Sequence, residues 1–304
     1  MLSMMDEPLV TIGMPVRNGG DQIRVAIDSL LSQTHRNLRL IISDNCSTDD
    51  TVAICEAYAR EDSRVTVVRQ PENLGICGNF RFVLMQAESP YFMWACHDDV
   101  WAPEFVRKNL ANLTANPAAV ASTSRVIMAL PEGPQELSNG TFALRGDQRE
   151  RLARFFWDPG EVSRFYGVFR TEALKRSFPA DIDVFGYDWI VMALNLLEGE
   201  HLELPEVLLT REAHTEDHYH RTLVRNQPKA LYRWLPHLPM TQVLRHRLPP
   251  EVWRACRGAI MRRNAIQMLM YAKYRLPLMA PVVRTLAQLE RARTRSGNSS
   301  AHPL

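Results

Sequence analysis

Along the first 115 residues, short apolar runs alternate with segments whose apolar positions recur at helical spacing. Leu9-Val10-Thr11-Ile12-Gly13-Met14 predicts a buried strand ending at Pro15, and Ile23, Ala26, Ile27, Leu30 and Leu31 share one face of a helix. Leu38 to Ile42 predicts a second strand that ends in Ser43-Asp44-Asn45. A helix follows from Asp49-Asp50, where acids suit the positive end of the helix dipole. Val65 to Val68 is a third strand, Phe80 to Ala87 a helix, and Tyr91 to Cys96 a fourth strand. Strands alternating with helices of this length predict βαβ units and an α/β fold, with a mostly parallel sheet flanked by helices.

The pattern loosens after residue 117. Ala118 to Leu130 predicts another strand, Pro131 to Pro134 a turn, and 135–150 a polar loop. Arg164 to Arg170 and His201 to Leu209 read as strands flanking a helix around Trp189 to Leu197. From about Asn226 the chain turns helical, with prolines as punctuation, and its last Ser- and Asn-rich residues (about ten) have the composition of a disordered end.

Charge sharpens this division. The 304 residues carry a net charge of only +2, but sixteen Lys/Arg and two acids lie from Arg221 onward. An acidic body therefore precedes a basic helical region over 221–304, and the two have different expected partners. A hydrophobic fraction of 46% supports a packed core and excludes a disordered chain. The five cysteines form no CxxC pair, and four of them read as reduced core residues, which favours a reducing compartment. The N-terminus lacks the basic and apolar regions of a signal peptide, and no window of about 20 apolar residues predicts a membrane span. The expected location is the cytoplasm, with a peripheral site on the inner face of the cell membrane as an extension.

The chemistry concentrates at strand ends. Trp94-Ala95-Cys96-His97-Asp98-Asp99 closes an apolar run on two adjacent carboxylates. Such a pair is costly to bury unless a cation offsets it, although a helix N-cap would also explain Asp99. In parallel sheets ligands bind where strands end, and Pro15-Val16-Arg17-Asn18 and Asp44-Asn45 end two others. There is no GxGxxG, no P-loop and no nucleophile elbow. Polar groups from two strands and an acid pair from a third suit a base or sugar held by hydrogen bonds and a diphosphate held by a cation.

Five ordered segments resemble the family 2 glycosyltransferases of the GT-A fold. They are Val10 to Asn18, Ser29-Leu30-Leu31-Ser32-Gln33-Thr34, Ile42 to Asp49, Glu72-Asn73-Leu74-Gly75, and His97-Asp98-Asp99 at the position of the family's DxD motif. The resemblance covers residues 9–110 and runs more loosely to about 215. It implies a domain over 1–220, with a nucleotide-binding half of about 1–115 and an acceptor half of about 116–220. The implied reaction is inverting transfer from a nucleotide-diphosphate sugar, UDP- or dTDP-linked, to a glycan or lipid-linked acceptor in cell-surface polysaccharide or glycolipid synthesis. Pro15, Val16, Arg17, Asn18, Asp44, Asn45, Asn73, Gly75, Asn79 and Asp98 are the implied donor-binding residues. Asp98, Asp99 and His214 are the implied holders of Mn2+ or Mg2+, and Asp188, in Phe185-Gly186-Tyr187-Asp188-Trp189, is the implied base. A helix N-cap is the plain alternative for Asp188. Arg17 and Arg81 are candidates for holding phosphate, or are surface charges. His97 and Tyr187 stand where the family often has acids, and an imidazole can ligate a metal but adds no negative charge.

His214, His218 and His220 are otherwise a solvated polar cluster. Residues 221–295 carry two readings, contact with anionic lipid or a helical subdomain with a basic solvent face. No motif supports nucleic-acid binding. A nucleotidyltransferase and a non-catalytic sugar-nucleotide-binding protein are the alternatives to the transferase.

Overall fold

A computed structural model describes residues 7–129, 135–213 and 229–272, with isolated positions at 276, 278, 281, 282 and 285. The four apolar runs of the first half form parallel strands. β1 (Val10–Val16) lies between β2 (Leu38–Asp44) and β4 (Tyr91–Trp94), and β3 (Val65–Arg69) pairs with the far edge of β2. β1 passes its predicted end at Pro15. Gly13 and Pro15 turn their backbone toward β4, whose last residue, Trp94, pairs with Gly13, so the N–H that proline lacks falls beyond that ladder.

Alternation along the strands divides two cores. Val10, Ile12, Met14 and Val16 pack under α1 (Gln22–Leu31), α2 (Thr51–Glu61) and α4 (Phe105–Ala115). The opposite face carries α3 (Gly75–Met85), which starts five residues ahead of its predicted first residue. It approaches so closely that a Cβ at Gly13 would lie 2.7 Å from Val83 and 2.8 Å from Phe92, so only glycine fits there.

The second half completes a nine-stranded sheet with β5 (Val100–Trp101), β6 (Ala119–Ala129), β7 (Glu136–Leu137), β8 (Val168–Arg170) and β9 (Glu200–Glu212), in the order β3-β2-β1-β4-β8-β6-β9-β5, with β7 on β6. β8 runs antiparallel to both β4 and β6 and so joins the halves. β6 and β9 are parallel.

Two local expectations fail for identifiable reasons. Of the strand expected over 164–170, only β8 forms, because Ser163–Tyr166 winds into a 3-10 turn. Arg164 is buried there, its guanidinium 5.5 Å from the Phe142 ring and 5.6 Å from Phe155, and it donates to the carbonyls of Gly140 and Phe142. A cation with those partners must turn inward, which extended alternation does not permit. The polar loop expected over 135–150 contains β7 and ends early in α5 (Gln148–Trp157). A capping box starts that helix: the Asp147 carboxylate accepts from the N–H groups of Arg149 and Glu150, and the Glu150 carboxylate accepts from the N–H of Asp147.

On the face of α3 and α5 also lie α6 (Thr171–Arg176), α7 (Tyr187–Glu198), α9 (Leu238–Arg247) and α10 (Pro250–Ala272), preceded by the short α8 (Ala230–Trp234). Met240, Leu244, Leu248, Val252, Cys256 and Ile260 enter the same core as Phe155 and Leu196. At its centre Trp94 is fully buried and stacks on Phe165 at 4.1 Å, while its Nε1–H donates to the Phe80 carbonyl at 2.9 Å. The cysteines are free thiols, and among the described residues no helix is long and apolar enough to cross a membrane.

Candidate active site

The register of β1 with β2 sets Val16 opposite Asp44, so the turns after both strands meet. Asn18, in the left-handed region (φ 55°), donates its N–H to Ser47 Oγ at 2.8 Å, and its Oδ1 accepts from the Thr48 N–H at 2.9 Å. Pro15 and Val16 are buried, whereas Arg17 and Asn18 are exposed at the rim. Asp44 is buried and its Oδ2 accepts from the Ser47 N–H at 3.1 Å. Its Oδ1 is buried with no partner, which is costly for a carboxylate oxygen unless a ligand supplies a donor.

Asn45 ties this edge to the segment before α3. Its Nδ2 donates to Asn73 Oδ1 (2.9 Å) and to the Gly75 carbonyl (3.1 Å), and its Oδ1 accepts from the Leu74 N–H (2.8 Å). Asn79 is turned inward, with Oδ1 accepting from Ser43 Oγ (2.6 Å) and Nδ2 donating to the Ser43 carbonyl (2.9 Å), so its amide braces β2. Arg81 donates from Nε to the Phe178 carbonyl at 3.3 Å.

The chain leaving β4 adjoins the β1 turn, since a Cβ at Gly19 would meet the His97 ring at 3.2 Å. Cys96, Asp98 and Asp99 place one ligand atom each within 4.8 Å of one another. Asp98 is half-buried. Asp99 is buried and caps no helix: its Oδ1 accepts from the Glu212 N–H at 3.1 Å and its Oδ2 from Arg211 Nε at 3.3 Å. Burial pushes the Asp99 carboxyl up to about 7, against the pull of Arg211 and with a further push from Asp98. The Cys96 thiol is raised by burial and by both acids, and its Sγ–H donates to the Tyr166 hydroxyl at 3.3 Å.

Arg211, near the end of β9, holds this corner to the second half. Its guanidinium lies 4.2 Å from the Tyr166 ring centre, and Nη1 donates to Ser163 Oγ at 3.1 Å. The same positive charge acts on Asp188. Asp188 lies in the first turn of α7, but the N-cap is Gly186, in the left-handed region (φ 83°) where its missing Cβ would face Met240 Sδ at 3.1 Å. Asp188 Oδ1 accepts instead from the Trp189 N–H at 2.9 Å, and burial pushes the carboxyl up to about 6. A carboxyl with that value takes up a proton readily near neutral pH.

The structure thus gathers Asp44, Asp98, Asp99 and Asp188 at the carboxyl edge of the sheet and adds Arg211 and Tyr166, which pattern reading did not single out. For Arg211 a signal exists: a cation beside the end of the last long strand, in a sheet where β2 ends in an acid and β4 leads into two. Tyr166 has none, because the 3-10 turn that aims it depends on the buried Arg164. His214, with His218 and His220, lies outside the described residues.

The sheet order and the strand-end acids define an α/β protein of the GT-A type. A mannosyltransferase of Pyrobaculum calidifontis, solved with GDP-Man and Mn2+, superposes with a TM-score of 0.60 at 18% identity over 97% of this chain and 84% of that one. Staphylococcus aureus TarS 1-349 in complex with UDP-GlcNAc gives 0.55 at 17% identity over 93% and 91%. The chain belongs to glycosyl transferase family 2, whose family model matches residues 11–178. A Bacillus subtilis protein named as a teichuronic acid biosynthesis glycosyltransferase, TuaG, is 32% identical over 123 residues, which is 40% of this chain and 49% of that protein. An uncharacterized Mycobacterium tuberculosis protein is 27% identical over 209 residues, covering 67% and 58%. The chain thus spans about half the length of these relatives.

Proposed function

We propose that this protein transfers a sugar from a nucleotide-diphosphate sugar to an acceptor hydroxyl, with inversion, in the synthesis of a cell-surface polysaccharide or glycolipid. The observation that carries the reading is the placement of Asp188 and Asp99, with Asp98 beside Asp99, under one positive charge, that of Arg211. Residues of about 1–115 bind the donor and those of about 116–220 present the acceptor.

The orphaned Asp44 Oδ1 accepts from the nucleobase, and Arg17 and Asn18 lie at the rim where the sugar-phosphate enters. A UDP- or dTDP-sugar is the donor; the UDP-GlcNAc bound to TarS favours UDP. The acids fit a hard divalent cation, Mn2+ or Mg2+, because two carboxylates crowd together and one is pushed toward protonation. The neighbouring Cys96 is a protonated thiol and a poor ligand for such an ion. Asp98, the more accessible acid, and Asp99 would hold the ion, which supplies positive charge to the departing diphosphate. Asp188 takes the proton of the acceptor hydroxyl as its oxygen attacks the anomeric carbon from the face opposite the diphosphate. The acceptor is a glycan or lipid-linked sugar, met at the cytoplasmic face of the cell membrane. The name of the Bacillus subtilis relative supports an envelope polysaccharide as product.

Replacing Asp188 by Asn keeps the shape and removes the base. Turnover is expected to fall about 10³-fold while donor affinity, measured by calorimetry with Mn2+ present, stays within about twofold. Unchanged turnover would overturn the assignment of the base.

A further inference from the structure

The solvent face of α10 does not suit water. Past Glu251 in the first turn, its exposed positions run Arg254, Ala255, Arg257, Gly258, Met261, Ala265 and Met268, so the stripe beyond that acid is basic and then apolar. Met261 is 57% exposed and Met268 37%. Trp157, at the end of α5, adds a 52% exposed ring beside it, with the Arg262 guanidinium 4.6 Å above the ring centre. Farther along, Leu276, Leu278 and Val282 are 50%, 95% and 48% exposed, and Leu231 and Trp234 of α8 are also exposed. Of the large apolar side chains exposed among the described residues, most lie on α8, on α10 and beyond it.

We propose that this face docks on an anionic lipid surface, a reading that rests on the membrane-facing acceptor proposed above and assigns the residues that make the contact. Charge selects this occupant. No acid occurs between Glu251 and Glu290, a stretch with seven Lys/Arg. A second copy packed face to face on α10 would set Arg254 and Arg257 against a like charge, whereas anionic headgroups offset them. Alternating exposed Met, Trp and Arg side chains are the composition of a helix that lies in the headgroup layer, its apolar groups inserted and its guanidinium groups at the phosphates. The helical region that carries this face also reaches the Asp188 turn: His237, the N-cap of α9, packs against Phe185 (5.1 Å) and Trp189 (4.8 Å). A surface seated there leaves the acceptor half nearest the lipid.

Co-sedimentation of the full chain with phosphatidylcholine vesicles, with and without about one third phosphatidylglycerol, tests this without any sugar nucleotide, so the result is independent of Asp188. Binding is expected on the anionic vesicles only and is lost at about 0.5 M salt. The pair Met261→Glu and Met268→Glu is expected to lower it about ten-fold or more, and Arg254→Glu with Arg257→Glu to lower it similarly. Transfer to a water-soluble acceptor is unchanged in both variants. Equal partition onto both vesicle types by the unaltered chain overturns the proposal, whatever the variants do. So does a dimer, seen by light scattering, that the Met261→Glu/Met268→Glu pair dissociates in a chain that does not bind vesicles.

Discussion

The two halves of the sheet build the site by different means. In residues 7–115 the charged site groups follow directly from the end of a parallel strand or the turn after it, and Asn79 of α3 braces β2 from behind. Asn18 follows β1, Asp44 ends β2, and Asp98 and Asp99 follow β4, so register alone aligns them. In residues 116–213 the groups come from unlike elements: a 3-10 turn for Tyr166, a helix start for Asp188 and the end of a 13-residue strand for Arg211. Asp99 is the joint. It belongs to the first half by sequence, yet both of its carboxylate oxygens are held by the second, through Arg211 and the Glu212 N–H. A regular sheet edge makes a binding site that tolerates variation between its strands. An irregular second half can vary without disturbing that edge.

The sharpest way to break this division is kinetic. On the proposed reading Asp188→Asn loses turnover by about 10³-fold at constant donor affinity, whereas Asp44→Ala weakens donor binding by about 10- to 100-fold with little change in kcat. Steady-state rates with donor titrations separate the two, and the reverse pattern would show that the halves do not divide binding from chemistry.

Next in size is the packing that joins the halves. Trp94 ends β4 and stacks on Phe165, the residue before Tyr166. Trp94→Ala should cost about 4 kcal/mol in urea unfolding and impair turnover as well as stability, because both edges of the site lean on that ring. A loss confined to stability would mean that the Tyr166–Arg211 corner is held without it.

The joint also predicts a pH dependence. The Asp99 and Asp188 carboxyls stand at about 7 and about 6, above the ordinary 3.8. The folded state therefore binds protons that the unfolded state releases, and the stability these groups contribute is complete below about pH 4. It declines as pH rises, by roughly 1 kcal/mol per pH unit for each group, up to about pH 6 for Asp188 and about pH 7 for Asp99. Asp99→Asn should flatten much of that decline in the metal-free protein, as followed by thermal unfolding across pH. Turnover runs the other way, rising with pH through about 6 as Asp188 loses its proton.

The smallest expected effect lies in α5, far from the chemistry. Asp147→Ala removes a capping box and should cost about 1 kcal/mol with unchanged kcat. A larger fall in activity would tie α5, and α10 packed against it, to the acceptor half.

The amino-acid sequence by itself determined the parallel first half and the acids at its edge. A buried strand must be apolar throughout, and the polar residue that ends it is therefore visible as a break in the run, as at Asp44 and Asp98. It also marked Asp188, but only through family resemblance, since an acid at a helix start has the same pattern whether it caps or reacts. The capping of α5 was present as Asp147 and Glu150, yet it lay in a polar stretch with no strong apolar period to announce a helix. The tertiary structure alone decided that Gly186 takes the cap and leaves Asp188 to its own turn, that Asn79 braces β2 from within, and that Arg164 winds a stretch with strand-like composition into the turn carrying Tyr166. Only the fold, too, brings Arg211 to Asp99 across 112 residues. Periodicity records which face of an element is buried, whereas a contact between distant elements depends on how those faces are stacked, and no local pattern encodes that.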